Sequence, residues 1–267
     1  MPFEQKNVMS TVLYDSPIYG PVKSRRLGIS LGINLMPKDG KCCTFDCIYC
    51  ECGFNSPHLP RLPRPSRSEV REALEETLAH RSSGNKPLDD ISFAGNGEPT
   101  SHPHFAQIVS DTLRLRDKYY PHATVSVMSN ATFTHKPEVR QALAALDNNI
   151  QKLDTASEDY IRLVDRPVSQ HYRVGDVVEN LKAFHGHVII QTLFMKGSFD
   201  GTDVNNTDER HVAPWLEALK DIAPQRVMIY TIDRETPASG LRKAEPVVLD
   251  NIRNKVLALG IPCTVAY

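Results

Sequence analysis

Residues 43–50 read Cys-Thr-Phe-Asp-Cys-Ile-Tyr-Cys, and this stretch decides how the rest of the chain is interpreted. Its cysteines, Cys43, Cys47 and Cys50, have the spacing C-x₃-C-x₂-C. Thiolates are soft donors that suit zinc or iron–sulfur clusters, and closed sites of either kind usually take four protein ligands. Three thiolates on one tight loop can instead hold three irons of a cubane and leave the fourth iron open to a small molecule.

Other uses of these cysteines remain open from the residues alone. A zinc site would need a fourth ligand, and Cys42, Cys52 or a distant histidine is available. Structural zinc sites, however, usually show two paired ligand spacings rather than one dense cluster. A disulfide framework is not expected, because five of the six cysteines fall within residues 42–52 and cannot staple a chain of 267 residues together. The sixth, Cys263, stands alone.

Composition places the chain among ordinary globular proteins. It is 40% hydrophobic and 24% charged, and 267 residues suffice for one large α/β barrel or two modest domains. No stretch approaches the roughly twenty apolar residues that cross a bilayer, and residues 1–16 lack the apolar core of a signal peptide. We therefore predict a cytoplasmic protein with no membrane association, in which clustered thiols stay reduced and bind metal.

Regularly alternating strands and helices predict the fold class. Apolar runs predict strands over 28–35, 90–94, 124–128, 150–154, 188–194 and 226–232. Amphipathic stretches between and after them predict helices over 66–78, 103–119, 137–146, 174–184, 209–222 and 247–259. This order is typical of βα units and a parallel sheet. We predict a single α/β domain over 1–267, a partial (β/α)₆ barrel with its core at 28–234, a short lead-in at 1–27 and a C-terminal helix and strand at 235–267.

Polar residues at the predicted strand ends are the candidate site, because α/β barrels carry their chemistry there. The second strand runs into Gly-Asn-Gly-Glu-Pro at 95–99, where glycine lets backbone approach a ligand closely. Ser129 and Asn130 end the third strand and Asp154 the fourth, although such residues often only cap the next helix. Lys196 and Arg234, after the fifth and sixth strands, are candidate substrate contacts.

Two cations, Arg25 and Arg26, precede the first predicted strand. They form either a solvated basic turn or an anion clamp, since arginine forks match carboxylates and phosphates. The formal net charge of the chain is −1, so any binding of nucleic acid would need a local basic patch.

The cysteine spacing with Tyr49, followed one βα unit later by Gly-Asn-Gly-Glu-Pro, resembles the radical S-adenosylmethionine (SAM) superfamily, whose signatures are C-x₃-C-x-aromatic-C and Gly-Gly-Glu-Pro. The resemblance implies one [4Fe–4S] cluster held by Cys43, Cys47 and Cys50, with SAM on the open iron. It implies an enzyme that cleaves SAM reductively to a 5′-deoxyadenosyl radical, which abstracts hydrogen from an unknown substrate. A reducing partner such as flavodoxin or ferredoxin follows from this chemistry.

The same resemblance implies a set of cofactor contacts. The glycine element would bind the amino group of SAM, and the residues ending the third strand its carboxylate or ribose. Asp154 would contact ribose or lie near the radical, and Tyr49 would help to hold adenine. The implied SAM-binding residues are Tyr49, Asn96, Gly97, Glu98, Pro99, Ser129, Asn130 and Asp154. The candidates for a catalytic role are Asp154, Lys196, Arg234, Arg25 and Arg26.

Three further stretches, 20–28, 95–100 and 230–234, are similar to a branch related to the wyosine-tRNA (tricyclic base) synthetases. Those synthetases carry extra N-terminal cysteines for a second cluster, and residues 1–41 contain none. Wyosine-type ring building is therefore not expected, and the substrate stays open among a small molecule, a peptide and tRNA. A tRNA-modifying enzyme with a basic patch around Lys23, Arg25 and Arg26 and a non-catalytic metal-binding module are the alternatives.

Overall fold

A computed structural model describes residues 12–24, 26–55 and 60–267, so Arg25 lies outside the described residues. The described strands are β1 (Ile18–Ser24), β2 (Gly28–Ile33), β3 (Asp90–Phe93), β4 (Thr124–Ser129), β5 (Asn148–Lys152), β6 (Ile189–Leu193), β7 (Met195–Phe199), β8 (Thr202–Asp203), β9 (Arg226–Tyr230), β10 (Leu241–Lys243) and β11 (Cys263–Ala266). The described helices are α1 (Arg67–Ser83), α2 (Phe105–Tyr119), α3 (Pro137–Ala144), α4 (Glu158–Val164), α5 (Val174–Lys182), α6 (Glu209–Ile222) and α7 (Pro246–Ala258). None of these helices combines the length and apolarity that a membrane span needs.

The main sheet is a curved half-barrel with the strand order β1-β2-β3-β4-β5-β6-β9-β11. Every neighbouring pair from β2 to β11 is parallel, and β1 joins antiparallel to β2 at the edge. The carboxyl ends of the parallel strands therefore lie along one edge, which we call the rim. The predicted partial α/β barrel is confirmed.

The predicted helix stripes are buried against the outer face of the sheet. In α1 the stripe consists of Val70, Leu74 and Leu78, which all belong to the main core. The helix begins at a capping box in which the side chain of Ser66 accepts from the amide of Glu69 and the side chain of Glu69 accepts from the amide of Ser66. Such reciprocal capping satisfies two amides that the first turn of a helix leaves free.

Both ends of the described chain add a strand to the sheet: β1 was not predicted, and β11 is the strand predicted in the C-terminal extension at 235–267. The lead-in at 1–27 contains β1, whose Gly20-Pro21 pair falls where the β1–β2 register shifts rather than in a plain turn. Proline is tolerated at such an edge-strand irregularity because no ladder hydrogen bond is lost. The C-terminal strand β11 pairs with β9, so the described sheet has seven parallel strands.

A second, small sheet was not predicted. Its order is β10-β7-β8, and it extends from the end of β6 beyond the rim. The strands are two to five residues long, and glycines lie within β7 or directly before β8 and β10, so they lack the apolar alternation that identifies longer strands. Close packing explains one of these glycines, because a Cβ at Gly197 would overlap the carbonyl oxygen of Gly240.

The concave face of the half-barrel is polar at its amino end. The buried carboxylate of Asp90 accepts hydrogen bonds from Ser30 (2.9 Å) and Thr124 (2.8 Å), and from Ser92 and Ser126. Buried carboxylates need such donors to offset their lost hydration. The concave face therefore holds polar groups in fixed positions, unlike the apolar face under the helices.

Candidate active site

The cysteine loop, residues 42–52, follows β2 at the rim. Its thiols are all free: Cys47 is buried, and Cys43 and Cys50 are partly exposed. On one side the loop is fixed by the turn after β3, because the amide of Cys42 donates to the carbonyl of Asn96 at 2.8 Å and Cys42 pairs with Gly97 as an isolated bridge. The two sequence motifs are therefore in direct contact.

The segment that follows α4 fixes the other side of the cysteine loop. The amide of Asp46 donates to the carbonyl of Asp165 (3.0 Å), and the amide of Ile48 donates to the carbonyl of Val164 (3.0 Å). In the reverse direction, the amide of Val168 donates to the carbonyl of Thr44 (2.9 Å). Sequence reasoning missed this contact because nothing in 158–168 resembles a metal or cofactor motif.

Gly97 is the point at which the loop after β3 approaches the cysteine loop. Its φ of +153° favours glycine, and a Cβ there would overlap the carbonyl group of Cys42 and lie 3.2 Å from the nitrogen of Cys43. The sequence predicted that this glycine admits SAM. The structure shows that it admits the backbone of the cysteine loop and so helps to position the thiols, while its contact with SAM stays a prediction.

The side chain of Asn96 is committed to the fold. Its Oδ1 accepts from the amide of Tyr14 (2.8 Å), and its Nδ2 donates to the carbonyls of Tyr14 and Pro37, both at 2.9 Å. This amide is fully buried, with 0% exposure. Its main-chain N–H donates to Oδ1 of Asn34 (3.2 Å), and its carbonyl accepts from the amide of Cys42, so only the second lone pair of that carbonyl is left for a cofactor.

Glu98 joins the loops after β3 and β4. Its Oε2 accepts from the amide of Asn130 (2.7 Å) and its Oε1 accepts from the amide of Thr100 (3.0 Å) and from the Thr100 hydroxyl. Burial raises the pKa of this carboxyl, and these hydrogen bonds oppose that shift. The buried Pro99 then begins a short 3₁₀ turn, Pro99–Ser101.

Asn130 reaches from the end of β4 to the cysteine loop. Its Nδ2 donates to the hydroxyl of Thr44 (2.8 Å) and lies 3.7 Å from Sγ of Cys43, and its Oδ1 accepts from the hydroxyl of Thr132 (2.7 Å). The neighbouring Ser129 is buried, and its Oγ accepts from the amide of Ala131 (3.1 Å). The structure thus brings Asn130 to the cysteine loop, whereas the side chain of Ser129 is engaged within the loop after β4 and with Glu98.

A buried lysine that sequence reasoning missed faces the thiols. Nζ of Lys41 donates to the carbonyl of Gly53 (2.8 Å) and lies 3.7 Å from Oδ1 of Asp46. Burial opposes its charge, but the negative charges of Cys50, Cys47 and Cys43, followed by Asp46, raise its pKa overall. A buried ammonium offsets the charge of three thiolates, so this donor set suits an anionic cluster.

The three thiols differ in acidity because their surroundings differ. A hydrogen bond from the thiol of Cys52 is the main cause that lowers the pKa of Cys50 to about 6. Burial instead raises the pKa of Cys43 and of Cys47. Cys52 is therefore a neighbour that stabilises one thiolate, whereas Cys42 accepts from the guanidinium of Arg64 at 3.2 Å.

A buried polar group, which we call the lysine cluster, consists of Lys152, Asp154, Asp165 and Tyr49. Nζ of Lys152 donates to Asp165 (2.5 Å) and to Asp154, and the hydroxyl of Tyr49 donates to both carboxylates. The thiol of Cys47 donates to Oδ1 of Asp165 at 3.4 Å. Burial opposes the charge of Lys152, and the two carboxylates outweigh it and raise the pKa of the ammonium.

The lysine cluster shows what strand geometry adds to the sequence. Side chains two residues apart on a strand share a face. The predicted position of Asp154 could therefore have identified Lys152 as its neighbour on the concave side. Asp165 carried no such signal. Burial raises its pKa to about 6, and its second oxygen, Oδ2, is buried without a hydrogen-bond partner.

The remaining candidates lie in different places. Arg234 reaches the cysteine loop, where its NH1 lies 2.8 Å from Oε2 of Glu51 and 3.0 Å from the hydroxyl of Tyr14. Lys196 lies on β7 of the small sheet and pairs with Glu245 at 2.6 Å. Arg26 lies with its guanidinium 5.2 Å from the centroid of the Tyr230 ring.

Within 12–24, 26–55 and 60–267, no group of three or more His, Cys, Asp or Glu side chains is arranged to hold a single metal ion. The assignment of Cys43, Cys47 and Cys50 as cluster ligands therefore stays a prediction from their spacing and from the resemblance.

The comparison with protein families decides the relationship. Residues 39–203, more than half of the chain, match the radical SAM superfamily, and this range includes the cysteine loop and the loops after β3, β4 and β5. The chain belongs to the radical SAM superfamily. It is therefore an enzyme of this superfamily, whose members use SAM and an iron–sulfur cluster.

Two curated relatives have similar sequences. A Brachyspira hyodysenteriae protein described as "GTPase Obg" is 29% identical over 235 residues, which cover 86% of this chain and 32% of that protein. A "UPF0026 protein" of Helicobacter pylori is 29% identical over 237 residues, which cover 87% of this chain and 71% of that one. The chain thus spans about a third of the first relative.

A solved structure shows the same fold. The radical SAM methyltransferase from Sphaerobacter thermophilus superimposes with a TM-score of 0.63 at 14% sequence identity, covering 89% of this chain and 66% of that one. At this identity the likeness concerns the architecture alone, that is, the radical SAM half-barrel.

The role of Glu98 as a link between two rim loops predicts the effect of replacing it. In Glu98→Gln an amide NH₂ would face the backbone N–H of either Asn130 or Thr100, both of which need an acceptor. We expect a loss of about 1–3 kcal/mol in the free energy of unfolding, the usual cost of an unmet buried hydrogen bond. Urea denaturation measures it. The exposed Glu179, paired only with Lys182, gives the matched control Glu179→Gln, which should change stability by less than about 0.5 kcal/mol. Equal free energies of unfolding for Glu98→Gln and Glu179→Gln would contradict the role of Glu98 as a link between the two rim loops.

Proposed function

We propose that Cys43, Cys47 and Cys50 hold one [4Fe–4S] cluster and that the protein binds SAM beside it at the rim, cleaves it reductively and abstracts a hydrogen atom from its substrate. The observation that carries the proposal is the arrangement of three free thiols on one loop of a radical SAM half-barrel, with the buried ammonium of Lys41 among them. Cytoplasmic localisation, predicted from the clustered thiols, is part of the proposal.

The bound cluster would supply one-electron reduction of SAM. The residues of the chain would position that chemistry. Lys41 would offset the negative charge of the thiolates, and Asn130 would hold the cysteine loop in place through Thr44 while donating toward Cys43. The main chain of 95–98 would offer polar groups to SAM, since the side chains of Asn96 and Glu98 are already engaged.

The lysine cluster supports a role near the reacting end of SAM. Asp154 lies at the carboxyl end of β5, where its Oδ1 accepts from the amide of Leu193 at 2.9 Å, so its position is fixed. Lys152 and Tyr49 contribute N–H and O–H donors beside it. We propose that these side chains orient SAM or substrate and keep bulk water away from the radical, because they fill the buried space next to Cys47.

The partners in this proposal are a one-electron donor, such as flavodoxin or ferredoxin, and a substrate that is a small molecule, a peptide or tRNA. Arg234 and Arg26 remain the proposed substrate contacts that the structure brings to the rim and the concave face. Lys196 stays a candidate at the small sheet.

Anaerobic reconstitution tests the proposed function. The protein should take up about four irons per chain, as one cubane requires. With a strong reductant and SAM it should release methionine and 5′-deoxyadenosine, and the EPR signal of the reduced cluster should change when SAM is added. SAM cleavage would be refuted if the EPR signal of the reduced cluster did not change on addition of SAM and no 5′-deoxyadenosine were released. Uptake of zinc in place of iron would favour the metal-binding module instead.

A further inference from the structure

Two arginines of the concave face keep N–H groups that are buried and have no partner. Six buried side-chain polar atoms of the described residues lack a hydrogen-bond partner, and two of these are NH1 of Arg26 and Nε of Arg226. An unpaired buried donor costs about 1–3 kcal/mol, and more when the group is charged. Since both residues line the same cavity, the cost points to a bound group that this chain does not itself supply.

The cavity lies between β9 and β11 and has a volume of about 170 Å³. Met228 and Thr264 face each other across this strand pair. Met228 packs with Ile150 and Ile189 in a cluster separate from the core under the helices, which places the cavity on the concave side. The cavity therefore lies on the face of the sheet opposite the helices.

The charge of the cavity is positive. Its described lining contains Arg26 and Arg226 and no aspartate or glutamate. Arg226 is held in place because its NH2 donates to Oδ1 of Asn148 at 2.9 Å, and the guanidinium of Arg26 rests on the ring of Tyr230. Each guanidinium is thus oriented by an uncharged residue. Its positive charge is therefore not paired with a carboxylate of the described lining and is available to a bound anion.

We propose that this cavity binds a carboxylate or phosphate group of the substrate. Two oriented guanidinium groups with free N–H donors match the oxygen atoms of such a group, and arginine forks bind oxyanions more specifically than single ammonium groups do. The inference rests on the proposed function, because it names the chemical class of the substrate that enters the half-barrel.

The cavity extends along β9. Arg226 is the first residue of β9 and Tyr230 is the last, and a strand rises about 3.3 Å per residue, so Arg226 lies about 13 Å below the rim. The guanidinium of Arg26 lies on the ring of Tyr230, and the lining includes Ala266, which pairs with Tyr230. The cavity is therefore not confined to the amino end of the strand.

Binding of simple anions tests the site without the cluster. We would titrate the full chain with inorganic phosphate and, separately, with acetate, and follow binding by calorimetry. Saturable binding of at least one anion is expected in the wild type, with a Kd at least about tenfold higher in Arg26→Gln and in Arg226→Gln. Arg242→Gln, on the exposed face of β10, is the matched control and should bind like the wild type. The anion with the lower Kd, phosphate or acetate, identifies the anionic group of the substrate as a phosphate or a carboxylate.

Four outcomes would overturn the site. They are the absence of saturable binding, equal binding by all variants, loss of binding in Arg242→Gln, and competition between SAM and the anion, which would assign the cavity to the cofactor. If Arg226→Gln fails to fold, Arg26→Gln decides, since Arg26 lies on the turn between β1 and β2. Anion binding that depends on both arginines in a protein that does not cleave SAM would keep the site and refute the proposed function alone.

Discussion

Replacing Cys43, Cys47 or Cys50 by alanine is expected to abolish the visible absorption of the reconstituted cluster, its iron content and the release of 5′-deoxyadenosine. Each of these thiols would hold a different iron, so the loss of one leaves a cubane with two protein ligands. Cys47 should be the most sensitive position, because its thiol is buried and contacts the lysine cluster. Iron and sulfide analysis after anaerobic reconstitution measures the effect.

The other three cysteines provide the controls. Cys263→Ala is the control that should disturb the cysteine loop least, since Cys263 lies on the C-terminal strand β11 and not in that loop. Cys42→Ala loses a contact with Arg64 and some packing against the main core, and Cys52→Ala loses the hydrogen bond that lowers the pKa of Cys50. Both should retain the cluster, because neither residue is a proposed ligand. Loss of the cluster in Cys42→Ala or Cys52→Ala, with retention in Cys43→Ala, would show that the ligand register is wrong.

Gly97→Val is expected to remove both the cluster and SAM binding. The added side chain would overlap the carbonyl group of Cys42, so the cysteine loop must move. A branched residue at a φ of +153° adds about 1–3 kcal/mol of backbone strain. We expect iron uptake below about a tenth of the wild-type level and a lower unfolding midpoint, because the displaced loop no longer fixes its thiols.

Gly175→Ala is the matched control for this glycine. Gly175 lies in α5 with no atom near the position of a Cβ, so alanine there should raise stability by about 0.4–1 kcal/mol and leave iron uptake unchanged. A Gly97→Val protein that folds, takes up iron normally and fails only to bind SAM would mean that the glycine serves the cofactor rather than the loop.

Much of the fold was predictable because local patterns determine it. The helix at α1 carries its capping residues, Ser66 and Glu69, and its apolar stripe in one continuous stretch. The strands β3, β4, β6 and β9 are short segments rich in β-branched or apolar residues, and parallel pairing brings their carboxyl ends to one rim. The cysteine spacing needed no tertiary information at all.

The parts that the sequence could not supply depend on contacts between distant residues. Lys41 looks like a surface lysine in a polar turn, yet the folded loop buries it among thiols. Asp165 reaches Cys47 only because the segment after α4 pairs with the cysteine loop, and Asn96 is occupied only because Tyr14 lies beside it. No local periodicity encodes such pairings, so residue type alone could not identify these partners.

The pairing of the cysteine loop on both sides bears on how a metal centre would be inserted. The amides of Cys42, Asp46 and Ile48 already donate to fixed carbonyl groups of the protein. Ordering one backbone residue costs about 1–2 kcal/mol, and hydrogen bonds of this loop that involve no metal ligand side chain offset part of that cost. Amide hydrogen exchange of the metal-free protein should therefore be slow at these three positions. The rate of cluster assembly would then be limited by the delivery of iron and sulfide, and not by the folding of the cysteine loop.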